Sequence, residues 1–281
     1  MSPQVWLVTG TSSGFGLELV KEIVARGDQA IATARNVEQI AHLRDIGAAT
    51  LQLDVTEPQE VLNRKAEAAI SIYGKIDILV NNAGHTQLGI LEEMSHDHWL
   101  SQFNTNVFGA VNTTRAFLPH MRSNKSGVVI FIGSLVAWDG FPALGAYCAT
   151  KAAIHCASES LSKELEPIGI KTLLVEPGAF RTELLNKPAS QRAVSKFEDY
   201  RPISETVVKN FDDFNGNQPG DTVKSAQRIV DIVKGENGAA GKPWPGTLPL
   251  GSDAVSAIRK KCEATLQDIE VWGEFAKSTD L

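Results

Sequence analysis

Six short apolar runs, rich in β-formers and each too brief for a helix, recur along the chain: Gln4 to Val8, Ala30 to Ala34, Thr50 to Leu53, Ile76 to Val80, Val128 to Ile132 and Lys171 to Val175. Helical stretches separate them. Between the first two, Leu17, Val20, Ile23 and Val24 share one helical face, and Gly27 supplies a carboxyl-terminal stop. Such alternation implies repeated βαβ units, and right-handed crossovers then place helices on both faces of a doubly wound parallel sheet. Ligands of that architecture sit beyond the carboxyl ends of the strands.

The remaining composition narrows the function classes. With 281 residues, 43% of them hydrophobic, the chain can bury one large core, and 27 basic against 33 acidic residues leave a net charge of −6. No sequence-wide positive field is present for nucleic acid or anionic lipid, so neither is expected as a partner. Cys148, Cys156 and Cys262 lack CxxC spacing, which argues against a structural zinc or a disulfide framework; all three are expected to be buried small hydrophobes in a reducing compartment. No apolar run approaches the length of a membrane helix and no basic leader precedes Val5, so the expected location is cytoplasmic.

Past Val175 the pattern loosens. Phe180, Phe197, Tyr200, Phe211 and Phe214 are scattered among polar residues between Gly178 and Gly220, which suggests a functional loop or lid. Asp221 then caps a helix to Lys234, a Pro/Gly-rich connection follows, and a last helix starts near Ser252. Its apolar positions Val255, Ile258, Cys262, Leu266, Ile269 and Trp272 recur at helical spacing and are expected to pack in the core.

The turn after the first strand reads Thr9-Gly10-Thr11-Ser12-Ser13-Gly14-Phe15-Gly16 and runs straight into the Leu17 helix. Gly10, Gly14 and Gly16 let the backbone turn tightly and admit a pyrophosphate, and the helix start, from Ser12 through Ser13 and Phe15, offers it unpaired N–H groups. A glycine turn also serves packing alone, but a strand before and a helix after favour dinucleotide binding. The second strand ends Thr33-Ala34-Arg35. An acid there would bind the adenosine ribose and repel a 2′-phosphate, whereas Arg35 offers that phosphate a guanidinium unless it is simply a solvated arginine. NADP(H) is therefore expected in preference to NAD(H). Asp54, at the end of the third strand, either accepts from the adenine amino group or caps the helix after Val55-Thr56-Glu57.

Tyr147 and Lys151 stand at i and i+4 at a helix start and project from one face. An adjacent ammonium favours the phenolate and should draw the phenol below its ordinary value near 10, making a proton donor suited to neutral pH. Ser134 closes the fifth strand, and the following loop can return its hydroxyl beside the phenol, so that two hydroxyls hold one carbonyl oxygen. Singly, these residues have plain alternatives: a surface lysine, an interface tyrosine, a turn-capping serine.

Taken together, the residues resemble the short-chain dehydrogenase/reductase family, of the type with one cofactor-and-substrate domain. The match rests on Thr9-Gly10 with Gly14 and Gly16, Asn81-Asn82-Ala83-Gly84, Asn106-Val107-Phe108-Gly109, Ser134, Tyr147 with Lys151, and Pro177-Gly178 followed by Thr182. The resemblance implies a Rossmann-type sheet of about seven strands in a single domain over 1–281, with 179–220 as substrate loop or lid and 221–281 as the variable end. It implies that Asn81, Ala83 and Gly84 line the adenosine side, near Asp54 and Val55, and that Asn106 holds a water linked to Lys151. Tyr147 is the implied proton donor, Lys151 lowers its pKa and binds the nicotinamide ribose, Ser134 orients the substrate oxygen, and Pro177, Gly178 and Thr182 fix the carboxamide. The helices around Asn106 and Tyr147 resemble those through which the family forms oligomers, implying a homodimer or homotetramer.

The expected chemistry is NADP(H)-dependent reduction of a carbonyl, or oxidation of the matching alcohol, with the cofactor supplying the difficult step. Trp138, Phe141, Leu144, Phe180 and the aromatic lid suggest a mostly apolar small-molecule substrate, although large hydrophobes serve cores equally well. Two rival readings remain: a non-redox cyclisation or isomerisation on the same fold, and a cofactor-sensing binding protein. His96 and His98 diverge on a helix and read as a helix opening, so no metal is expected; His155 reads as a helix-surface or subunit-contact residue.

Overall fold

The computed structural model describes residues 2–182 and 194–281. Seven parallel strands form one sheet: β1 (Val5–Val8), β2 (Gln29–Ala34), β3 (Ala49–Gln52), β4 (Ile78–Asn81), β5 (Gly127–Ile132), β6 (Ile170–Pro177) and β7 (Thr247–Leu250), in the order β3-β2-β1-β4-β5-β6-β7. The order reverses between β1 and β4, the point at which a doubly wound sheet opens a ligand crevice. Successive side chains of a strand point to opposite faces, and the two layers of core follow from that. Trp6 and Val8 of β1 join one cluster with Leu19, Val20 and Ile23 of α1 (Gly14–Ala25) and with Ile229 and Val230 of α7 (Thr222–Lys234). Val5 and Leu7 join the other, with Ala66 and Ala69 of α2 (Gln59–Tyr73), Phe117 and Met121 of α4 (Ala110–Asn124) and Ile154 of α5 (Gly145–Leu165).

Caps fix several boundaries. Asp221 accepts from Val223 and Lys224 N–H at the start of α7, as its position in the sequence predicts. Ser95 and His98 close a reciprocal capping box on α3 (His96–Phe103), which gives His98 a structural place. A π-helical segment, Asn104–Gly109, joins α3 to α4.

Three expectations are corrected. The stretch read as an aperiodic loop contains α6 (Arg201–Phe214), whose Ile203, Val207, Phe211 and Phe214 step by helical intervals; residues 183–193 of the expected lid lie outside the described residues. The last helix, α8 (Ser252–Lys277), buries Ala254 and Ile258 only, and its other apolar positions are exposed. Spacing shows that a helix face is apolar, not that the same chain covers it. Cys148 is buried as expected, but Cys156 and Cys262 are exposed on α5 and α8. No helix among the described residues is long and apolar enough to cross a membrane.

Candidate active site

The glycine turn and the end of β4 meet at the sheet's switch point. A Cβ on Gly10, which adopts φ +69°, would lie 2.8 Å from Ala83 Cα, and one on Gly16 would lie 2.5 Å from both Asn82 Nδ2 and Gly10 O. Neither position admits a side chain. Asn82, part of the Asn81-Asn82-Ala83-Gly84 motif but given no role in the sequence, ties the two segments together: its Nδ2 donates to Thr9 O and Gly10 O at 2.8 and 2.9 Å. Thr9 Oγ1 in turn accepts from Asn82 and Ala83 N–H. Asn81 turns inward to donate to Thr114 Oγ1 at 2.8 Å. Ser13 stands at the N-cap of α1 in extended conformation without a side-chain cap bond, and no acid lies in the first turn. The turn formed by Gly14, Phe15 and Gly16 thus leaves helix N–H groups available to an anion. Ser12 is exposed beside it.

Arg35 is exposed just beyond the end of β2. Asp54 does not cap α2, which begins at Gln59; its Oδ1 accepts instead from Thr56 N–H and Thr56 Oγ1, an Asx turn that tightens the loop. Val55 packs its side chain with Leu53 and Leu62. At the far end of the crevice, Gly178 N–H donates to Leu250 O at 2.8 Å after Pro177 closes β6, and Thr182 approaches Gly14. Phe15 and Phe180 pack with ring centroids 5.0 Å apart and planes tilted by 58°. Asp253 is a further residue missed in the sequence: its Oδ2 accepts from Ala179 N–H at 2.6 Å, so the first turn of α8 pins the segment after Pro177-Gly178.

Tyr147 and Lys151 rise from one face of α5. The phenol faces Ser134, as expected, and also Thr86, which was not expected, and both favour its ionised form. Lys151 Nζ lies 5.6 Å from the Tyr147 ring centroid and donates to Ile132 O at 2.7 Å. Burial pushes the phenol up to about 12 against the opposing pull of Ser134 and Thr86. Burial likewise pushes the ammonium down to about 8. The expected lowering of the phenol is reversed in the protein alone: removing it from water outweighs the pull of Ser134 and Thr86.

Asn106, buried in the π segment, accepts from His85 N–H and donates to His85 O, both at 3.0 Å, and donates to Thr150 Oγ1 at 3.2 Å. Its side chain is committed to holding the loop that carries Thr86 against α5. Gln102, one turn earlier, also donates to His85 O and accepts from Gln87 N–H. The i, i+4 pair of amides was the available signal for this clamp. Gly84 lies against Asn106 in the same loop.

His155 is not a free surface residue. Its Nδ1 lies 2.8 Å from Oε1 of the fully buried Glu176, whose Oε2 accepts from Trp138 Nε1 at 2.7 Å. Trp138 is thereby held in the wall and does not line the apolar cleft. Phe141 and Leu144 do line it, with Ile203, Val207, Phe211 and Phe214 of α6, around a cavity of about 810 Å³. Tyr200 and Lys196 anchor the start of α6 to Glu92 and Glu93.

Residues 4–193 match the family described as short chain dehydrogenase. The chain is 36% identical over 249 residues to the uncharacterized oxidoreductase YusZ of Bacillus subtilis strain 168, covering 83% of this chain and 84% of that one. It is 38% identical over 213 residues to a 3-ketodihydrosphingosine reductase of Bacteroides thetaiotaomicron, covering 75% and 72%. A short-chain dehydrogenase from Streptomyces avermitilis superposes over 100% of both chains with a TM-score of 0.86 and 37% identity. The chain belongs to the short-chain dehydrogenase family and is an NAD(P)-dependent oxidoreductase.

Proposed function

We propose that the protein uses NADPH to reduce the carbonyl of a mostly apolar small molecule, the reverse alcohol oxidation using the same atoms. The observation that carries this reading is the buried Tyr147 phenol, facing Ser134 and Thr86, with the Lys151 ammonium 5.6 Å from its ring centroid. The glycine turn fits a dinucleotide, since Gly10 and Gly16 have no room for a Cβ and the α1 N-terminus carries no competing cap or acid. Ser12, Ser13, Gly14 and Phe15 would hold its pyrophosphate, and Arg35 its 2′-phosphate. A nicotinamide bound along this edge supplies hydride. Ser134 orients the substrate oxygen, Tyr147 gives it a proton, and the Lys151 ammonium stabilises the phenolate left behind. Pro177, Gly178 and Thr182, pinned through Asp253, position the carboxamide end.

The cleft under α6 supports an apolar substrate, and the Bacteroides relative's name points to a ketone on a long-chain base. Following NADPH consumption over ketones of increasing alkyl length should show kcat/KM rising about fourfold per methylene until the cleft is filled, since burial of each contributes about 0.8 kcal/mol. A flat profile removes the apolar assignment. Cofactor binding without turnover on any carbonyl favours the non-redox or cofactor-sensing alternatives.

Cofactor preference has its own test. Arg35→Ala should raise the KM for NADPH by about 10- to 100-fold, the worth of a charge-assisted contact, and leave that for NADH within about twofold. Equal losses with both cofactors would remove Arg35 from the phosphate site. The reading also includes self-association through the helices around Asn106 and Tyr147, where Phe108 is exposed beside Phe103 and Trp99.

A further inference from the structure

Beyond Ile258, α8 leaves the body of the protein and every residue from Arg259 to Lys277 except Gly273 is exposed. A 26-residue helix is about 39 Å long, so more than half of this one projects into solvent. Leu266, Ile269 and Trp272 are 60%, 59% and 61% exposed. Such a stripe is a partner surface rather than a monomer surface.

The charges on its flanks say which partner. Arg259, Lys260 and Lys261 occupy the inner part of the projecting helix, while Asp268, Glu270 and Glu274 occupy the outer part. Parallel pairing of two copies would set like charges opposite each other. Antiparallel pairing, crossing near Thr265 and Leu266, sets Arg259 opposite Glu270 on one flank and Lys261 opposite Asp268 on the other. The same crossing brings Cys262 towards Ile269 and sets Leu266 beside the twofold axis. Moving the crossing one turn outward would oppose Glu263 to Glu274 and Lys261 to Lys277. The existing contact of Lys261 with Asp139 is 3.8 Å long between exposed groups and does not hold the lysine away.

We infer that α8 is a homotypic docking element that pairs antiparallel with α8 of a second copy, a twofold contact separate from the helices around Asn106 and Tyr147. A twofold axis makes this interface isologous, so each contact occurs twice.

Native Cys262 provides the test. Ile269→Cys should form an interchain disulfide with the partner's Cys262 under mild oxidation, giving a covalent dimer on a non-reducing gel. Wild-type protein should give none through Cys262 alone, and Cys262→Ser in the Ile269→Cys background should abolish the cross-link. A wild-type dimer linked by Cys262 would show parallel pairing and overturn the arrangement; no cross-link in the Ile269→Cys protein would overturn the contact. Light-scattering mass provides a second measurement. Leu266→Glu, at an exposed position, should halve the oligomer mass at a fixed concentration without changing Tm, and an unchanged mass would count against the interface. Arg259→Glu should raise the dissociation constant about fivefold and Arg259→Glu with Glu270→Arg should restore it; failure of that rescue would overturn the register.

Discussion

Tyr147→Phe is expected to lower kcat for carbonyl reduction by about 10³-fold, within the range by which positioned general acids accelerate proton transfer. The phenyl ring keeps the packing on α5, and only the hydroxyl that faces Ser134 and Thr86 is lost. Ser134 retains the Val136 N–H as a local partner, so little stability depends on that hydroxyl. The cofactor edge, built from the glycine turn, Asn82 and the segment pinned by Asp253, does not pass through the phenol oxygen. Cofactor affinity should therefore stay within about threefold and Tm within a few degrees, a selective loss expected of a proton donor rather than of a structural residue. Measured kcat above a tenth of wild type would assign the acid to another group. A parallel collapse of Tm would show that the phenol is structural.

The parts of this site that could be read from the sequence lie where local pattern and strand ends coincide. Each of the six apolar runs overlaps a strand of the sheet, because a parallel strand buried on both faces must be continuously apolar, and Trp6 and Leu7 serve opposite layers of core. The glycine turn, Ser134, Tyr147 and Lys151 follow from positions immediately after strands or at a helix start. Residues whose partners are distant in sequence were hidden. Asp253 meets Ala179 across 74 positions, and Trp138 meets Glu176 across 38. No periodicity reports such pairings. The helical spacing of Ile203, Val207 and Phe211 was available but masked by the scattered aromatic and polar residues around it. The outward stripe of α8 shows a different limit: sequence gives amphipathicity, while the choice between core and partner depends on where the helix departs from the sheet. Electrostatics failed for a third reason. Adjacency of Lys151 to Tyr147 predicts attraction, but the sign of the net shift depends on how much water the fold removes from both groups.

That competition makes Lys151 the second decisive position. Its ammonium is driven down to about 8 by burial, so it is charged at pH 7 and neutral above about 9. In the proposed reduction the phenol becomes a phenolate, and a phenol held up at about 12 gives up its proton only with electrostatic help. Taking the 5.6 Å from Nζ to the ring centroid as the separation, an effective dielectric constant near 20 gives about 3 kcal/mol of stabilisation. That corresponds to roughly 100-fold in rate. The rate of reduction at saturating cofactor should be level near pH 7 and fall as pH rises through about 8, where the ammonium is lost. Lys151→Met should show the reduced rate, about 100-fold down, at pH 7 and lack the limb near 8 altogether. Folding responds with the opposite sign. Because the folded value of about 8 lies below the ordinary 10.5, the cost of burying the charge is complete below pH 8 and is relieved as pH climbs towards 10.5. A rate that falls while the contribution of Lys151 to stability improves separates lost catalysis from unfolding. If the limb near pH 8 survives in Lys151→Met, the titrating group lies elsewhere and the ammonium does not support the phenolate.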